Sequence, residues 1–239
     1  MRYRPKNLRD ENPLVLNQLA KYNPYIARVY DYPELLLPHP TTENFQELWA
    51  RKNKDNHGDA YPEKVHIEIG CGSGRYLIEW AIENPQDFFI GLELRYKRLV
   101  LAAKKIHKQN IRNIILLRER AEFLDEYFTN KSIDCLHINF PDPWAKKTNR
   151  KHRVISEEFL TKMRPYFCSG GELRFKTDHL EYFKSVTKIL KQLNFYSIDQ
   201  HTEDLHKSAY NNENILTEFE MLFKSKGDPP IGYLRANAL

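Results

Sequence analysis

The chain has 239 residues, 41% hydrophobic and 29% charged, with a mean hydropathy of −0.67. That is enough apolar material for one sizeable core, and no run approaches the roughly 18 uncharged apolar residues a membrane span requires. The net charge is +5, from 37 cations and 32 acids, and the three cysteines, Cys71, Cys135 and Cys168, are widely spaced without a CxxC pair, which argues against a disulfide framework and a structural zinc site and for a reducing cytoplasm.

The opening residues, Met1 to Lys6, have no apolar stretch behind their charges, unlike a secretory signal. Seven of the 13 prolines fall within the first 62 residues and the first glycine is Gly58. Residues 1–60 therefore read as an N-terminal extension, a mostly irregular cover with short helical patterns at Leu14 to Tyr22 and Phe45 to Lys52. From Lys64 onward, short β-type runs alternate with amphipathic stretches, the pattern of a parallel sheet covered by helices. Strands are predicted at 65–69, 88–93, 114–118, 133–139 and 171–177. Helical spacing falls at Arg75 to Glu83, Tyr96 to Lys108, Ala121 to Phe128, Ser156 to Tyr166 and Leu180 to Leu193. Segments 195–200 and 217–223 alternate apolar and polar residues, as an antiparallel pair closing one sheet edge would. The expected fold is α/β, a mostly parallel seven-stranded sheet with helices on both faces.

In such a sheet ligands bind outside the carboxyl ends of the strands. The first predicted strand runs into Glu68-Ile69-Gly70-Cys71-Gly72-Ser73-Gly74, where glycines permit positive φ and close approach of a ligand to the backbone. The spacing is GxGxG, not the GxGxxG of a dinucleotide site, which suits a ligand without pyrophosphate. The second strand ends at Glu93, placed to accept hydrogen bonds from a ribose diol, so loop and acid together point to an adenosine-containing cofactor. The fourth strand ends in Asn139-Phe140-Pro141-Asp142-Pro143-Trp144, where two prolines hold Asp142 on a stiff turn. The fifth ends at Asp178. Cations cluster: Lys146, Lys147, Arg150, Lys151 and Arg153 follow that turn with no acid among them, and 94–118 holds eight more. The two windows carry +13 against −8 elsewhere, an electrostatic footprint suited to a phosphate-rich partner.

The glycine loop and strand-two acid resemble S-adenosylmethionine-dependent methyltransferases of the class I, Rossmann-like type. The string Pro141-Asp142-Pro143-Trp144-Ala145-Lys146-Lys147, with Lys151 and Arg153 behind it, resembles the bacterial tRNA (guanine-N7-)-methyltransferase family, and Thr217-Glu218-Phe219-Glu220 resembles its C-terminal TxxE motif. The likeness spans roughly residues 64 to 235. It implies a class I catalytic domain over 61–239 that methylates a guanine at position 46 of the tRNA variable loop, as a cytoplasmic monomer or homodimer without a metal. By the same matching, Glu68, Gly70, Gly72, Gly74, Glu93, Arg120, Ala121 and Asp142 would bind S-adenosylmethionine, Asp142 being catalytic. Lys146, Asp178, Thr217, Glu218, Phe219 and Glu220 would contact substrate, and Lys147, Arg150, Lys151 and Arg153 would grip RNA. Arg120 departs from the family's usual Asp or Asn, and Thr148, Asn149 and His152 depart from a more basic string. Two alternatives stay open on the residues alone: an adenine-N6 methyltransferase using Asn139, although the (Asn/Asp)-Pro-Pro-aromatic turn is absent, and an RNA-binding protein of this fold without catalysis.

Overall fold

Strands form where apolar residues run almost unbroken, and helices where they recur every third or fourth residue. The computed structural model describes residues 20–58, 60–224, 227 and 229–239. The helical reading at Leu14 to Tyr22 falls, but for its last three residues, outside that range. The strands are β1 (Leu36–Leu37), β2 (Val65–Ile69), β3 (Phe88–Leu92), β4 (Ile114–Leu117), β5 (Ile133–Asn139), β6 (Phe167–Thr177), β7 (Tyr196–Thr202) and β8 (Gly232–Ala238). The helices are α1 (Tyr25–Arg28), α2 (Thr42–His57), α3 (Arg75–Glu83), α4 (Tyr96–Lys108), α5 (Glu157–Met163), α6 (Leu180–Gln192) and α7 (Glu218–Lys224). Ala121 to Phe128, expected to be helical, is a 3-10 segment over Ala121–Glu126.

Among the described residues the sheet has eight strands, not seven, in the order β1-β4-β3-β2-β5-β6-β8-β7. All neighbours from β1 to β6 are parallel, while β8 runs antiparallel to both β6 and β7. The extra strand comes from the N-terminal extension, where Leu36 and Leu37 pair with Leu116 and Leu117 of β4. The second difference is at 217–223, expected as a strand. It is α7, because Thr217 caps a helix there, and the edge pair is completed by β8 after Pro229-Pro230.

The two sheet faces differ. One packs Ile67, Ile90, Ile138 and Phe175 against α2, α5 and α6 in one large apolar cluster, to which the extension contributes Phe45 and Leu48. The other is apolar beneath α4, where Phe89, Leu116, Leu99 and Ile106 meet Val29 and Leu36. Toward β5 and β6 that second face becomes polar: His66, Glu68, His137 and Lys176 are all buried. Buried polar groups must be hydrogen-bonded, and here they form a directed chain. The Asp87 carboxylate accepts from His66 Nε2 at 3.0 Å, which leaves His66 Nδ1 to accept from His137 Nε2 at 3.1 Å and His137 Nδ1 to accept from the Tyr76 hydroxyl at 3.0 Å. Burial holds His137 well below the usual histidine range. Cys135 completes a set of metal-ligand type within 4.8 Å, although the ring nitrogens are committed to this chain.

Gly91 in β3 marks the tightest point between sheet and α3. A Cβ there would lie 2.7 Å from Leu77 Cδ2 and 2.9 Å from Cys71 Sγ. Gly91→Ala is therefore expected to cost about 1 to 3 kcal/mol of stability, the usual range for an overpacked core, seen as a lower urea midpoint. An unchanged midpoint would mean that this interface has slack.

Candidate functional site

Strand order reverses between β2 and β5, and at the carboxyl end of that pair Glu68 meets Asn139. The Asn139 amide donates to Glu68 Oε1 at 3.0 Å, while Glu68 Oε2 is buried without a partner. Glu68 is 2% exposed, and burial lifts its carboxyl to about 7 in spite of the Asn139 hydrogen bond and the nearby Lys176. The loop that follows turns on Gly70, Gly72 and Gly74, all at positive φ. Gly74 also lets α4 approach, since a Cβ there would stand 3.0 Å from Ala102 Cβ.

Along the same edge, Glu93 follows β3 half-buried. Its Oε1 accepts from the amides of Leu94 and Arg95 at 2.9 Å each, leaving Oε2 outside that turn. After β4, Arg120 turns to Glu122 at 2.8 Å and Ala121 is buried. Beside them lies a 260 Å³ cleft lined by Pro38, His39, Pro40, Thr41, Arg118 and Glu119, so the extension walls the β4 end of the site.

Beyond β5 the turn is held tightly. Phe140 and Trp144, flanking Pro141-Asp142-Pro143, both have positive φ, at 49° and 42°. Such conformations are costly for non-glycine residues and persist only where the surroundings fix them. Phe140 donates its amide to the Lys176 carbonyl at 2.8 Å, and its ring packs on Phe219 and Phe223 of α7. Trp144 packs against His152, and Arg153 braces the turn by donating to the Pro143 carbonyl at 2.8 Å with its guanidinium over Tyr182. Asp142 itself is exposed, and its carboxylate has no hydrogen bond or ion pair among the described residues.

The basic run divides. Lys146, Lys147 and Lys151 are exposed, whereas Arg150 is paired with Glu181. Arg153 departs from the expectation of an RNA-gripping side chain, because it is 8% exposed and spent on the turn.

Thr217 and Glu220 lie at the start of α7 and form a capping box: Thr217 Oγ1 accepts from the Glu220 amide at 3.1 Å, and Glu220 Oε2 from the Thr217 amide at 2.9 Å. Glu220 is fully buried. It takes a further bond from Asn214 at 3.0 Å and pairs with Lys176 at 3.3 Å, and these partners outweigh burial to hold its carboxyl below the usual range. Lys176, buried beside the Tyr76 ring, also donates to Asn214 and to the Ile215 carbonyl. Phe219 is 46% exposed, Asp178 is exposed, and Glu218 turns to the glycine loop. The edge thus gathers Glu68, the glycine loop, Glu93, Asp142 and Asp178 at successive strand ends. Sequence reasoning passed over Lys176 and Ser73. The first is signalled by a cation beside Phe175 at the buried end of β6, the second by nothing local.

A family model described as a putative methyltransferase matches residues 62–231. A protein of Enterococcus faecalis named tRNA (guanine-N(7)-)-methyltransferase is 33% identical over 85% of this chain and 89% of its own length. A bifunctional glycosyltransferase/methyltransferase of Fusobacterium nucleatum is 38% identical over 91% of this chain, which spans only 33% of that longer protein. In fold the chain is similar to the antibiotic-resistance methyltransferase Kmr, with a TM-score of 0.56 at 15% identity over 81% of this chain and 92% of that one. It is also similar to a 30S ribosomal A1408 methyltransferase from an uncultured bacterium, at 0.53 and 23% over 82% and 94%. With a Rossmann-like sheet, a glycine loop at its switch point and these relatives, the chain belongs to the tRNA (guanine-N7-)-methyltransferase family of class I methyltransferases.

Proposed function

We propose that this protein transfers a methyl group from S-adenosylmethionine to N7 of a guanine in tRNA, at variable-loop position 46, in the cytoplasm. The observation that carries the reading is the exposed Asp142 carboxylate, unpaired among the described residues and fixed on a braced turn at the end of the strand that meets Glu68. The test is an assay with purified protein, labelled cofactor and unmodified tRNA, with and without a guanine at the target position. Label recovered as 7-methylguanine only from the guanine-bearing tRNA supports it, and label in adenine or none at all refutes it.

The residues present fit the cofactor. Glu68 Oε2 is an orphaned buried oxygen, and a Cβ on Gly70 would enter open space with no atom within 4 Å. Glu68 and the glycine loop would hold the methionine part, Glu93 Oε2 the ribose, and the backbone at Arg120 and Ala121 the adenine. A cofactor held there would supply a sulfonium methyl to the lone pair of guanine N7, with S-adenosylhomocysteine as the leaving group. N7 carries no proton, so a general base has nothing to remove. Asp142 instead stabilises the positive charge that grows on the guanine ring, and it needs no reorganisation to do so because its turn is already fixed. Asp178 would accept from guanine N1–H and N2–H, donors that adenine does not present there. Lys146, Lys147 and Lys151 meet phosphates.

Three outcomes are expected. Glu68 has a folded pKa of about 7 against 4.5 when unperturbed, so the cofactor-free protein loses stability as pH rises from about 4.5 through 7, by at most about 3 kcal/mol. Glu68→Gln removes that loss, and urea unfolding at pH 5 and pH 8 should show the variant gaining on wild type much more at pH 8 than at pH 5; equal differences at both pH values would refute the raised pKa. Asp142→Asn should keep its melting temperature and both ligand affinities while single-turnover methyl transfer falls roughly a hundred- to a thousandfold. A lower melting temperature with normal transfer would make Asp142 a brace of the turn. Replacing Lys146, Lys147 and Lys151 by Gln should flatten the salt dependence of tRNA binding by about 0.9 in log–log slope for each phosphate no longer neutralised. Arg153→Met should instead lower the melting temperature and leave that slope alone.

A further inference from the structure

α7 has seven residues, and three of its apolar ones, Phe219, Met221 and Leu222, are exposed. So short a helix has no stability of its own and stands on its anchors. One is the capping box on Lys176. The other lies on the glycine loop, where the Glu218 carboxylate accepts from the Ser73 hydroxyl, from Lys105 Nζ at 2.8 Å and from Arg98 Nη1 at 3.3 Å. Lys105 donates as well to the Ser73 carbonyl at 2.9 Å, and Arg75 Nε donates to the Leu216 carbonyl at 3.2 Å, one residue before the box. These contacts join positions 145, 113 and 120 apart in sequence. Hydrogen bonds from Lys105 and Ser73 outweigh burial and hold the Glu218 carboxyl below its usual range.

Ser73 sits between Gly72 and Gly74, both in left-handed conformation, so its place is that of the loop itself. α7 in turn carries Thr217 and Glu220 on its first turn and packs Phe219 on Phe140, two residues before Asp142. We infer that Glu218 is a positioning residue that clasps α7 to the glycine loop, so that ordering of the loop by cofactor also orders the helix beside the catalytic turn. The inference rests on the proposed cofactor site, and it gives Glu218 a contact within the protein in place of the substrate contact that family resemblance implies. Two sites joined through one fastened element bias each other reciprocally. Cofactor therefore steadies α7, and loosening α7 weakens cofactor.

The test uses the full chain and three variants, Glu218→Gln, Lys105→Met and the double substitution, with calorimetry for S-adenosylmethionine in the absence of tRNA and amide hydrogen exchange over 217–224 with and without it. In wild type the cofactor should slow exchange across α7. Each single variant should exchange faster there, lose the response to cofactor and bind it roughly fivefold or more weakly, the low end of couplings between sites. The double variant should be no weaker than the worse single one, since all three break the same clasp. An α7 that still answers to cofactor in Glu218→Gln, or losses from the two substitutions that add in full, overturns the inference. A defect confined to the KM for tRNA also overturns it and makes Glu218 a substrate contact. Wild-type protein that binds no cofactor defeats the proposed function instead, and exchange in cofactor-free Glu218→Gln still reads the clasp: α7 unchanged from wild type refutes it.

Discussion

A lysine ammonium with almost no access to water has to be met by an anion and by acceptors for each of its protons, and Lys176 is such a group. Burial lowers its pKa, and Glu220 opposes that shift. The need to satisfy it recruits the Ile215 carbonyl, Asn214 and Glu220 from a segment about forty residues away. Once Glu220 is drawn in, its second task, capping α7 with Thr217, fixes where that helix begins. Removing one partner of a buried pair costs about 3 to 5 kcal/mol, which is ample to hold a seven-residue helix that leaves much of its apolar surface exposed. Lys176 also faces Asn139 in register across β5 and β6, and Asn139 donates to Glu68. A row of polar side chains thus ties three central strands to the last helix, directly below the crevice.

The parallel core was legible because strands buried on both faces read as continuous apolar runs, and 65–69 and 133–139 emerge with the bounds expected of them. Helices α3 and α4 were equally plain from their spacing. The segment 217–223 was not. Phe219 and Met221 alternate with Glu218 and Glu220 as a strand would, yet the same letters spell a capping signature, and the choice between them is made by Lys176, far away in sequence. β8 does show alternation from Leu234 to Ala238, but it lies behind Pro229-Pro230, and 217–223 competes with it for the same place at the sheet edge. A two-residue strand such as β1 has no periodicity to read. In the site, the glycines, Glu68 and Asp142 stood out because each lies at or just past the end of a strand, whereas the contacts of Glu218 did not, because they join turns with no local signature in common.

Charge mapping overstated the surface open to phosphate. Several cations in the two windows are used internally: Arg98 and Lys105 by Glu218, Arg118 over the Tyr96 ring, Arg150 by Glu181, and Arg153 beneath the proline turn. A run of like charge in sequence becomes a binding face only after folding has claimed what it needs for its own acids and rings. Lys146, Lys147 and Lys151 are what remains exposed beside Asp142.

The two residues of β1 bear on how the protein stays in solution. β4 is Ile-Ile-Leu-Leu, buried throughout, and its outer side pairs with the extension, where the Leu116 amide donates to Leu35 and the Arg118 amide to Leu37. Without that cover β4 would be an exposed apolar edge with unpaired amides, the kind of template on which chains pair with one another and aggregate. The N-terminal extension thus covers an edge on which strands could pair, and it does so with Leu35 to Leu37, directly before the Pro38 to Thr41 stretch that walls one end of the site.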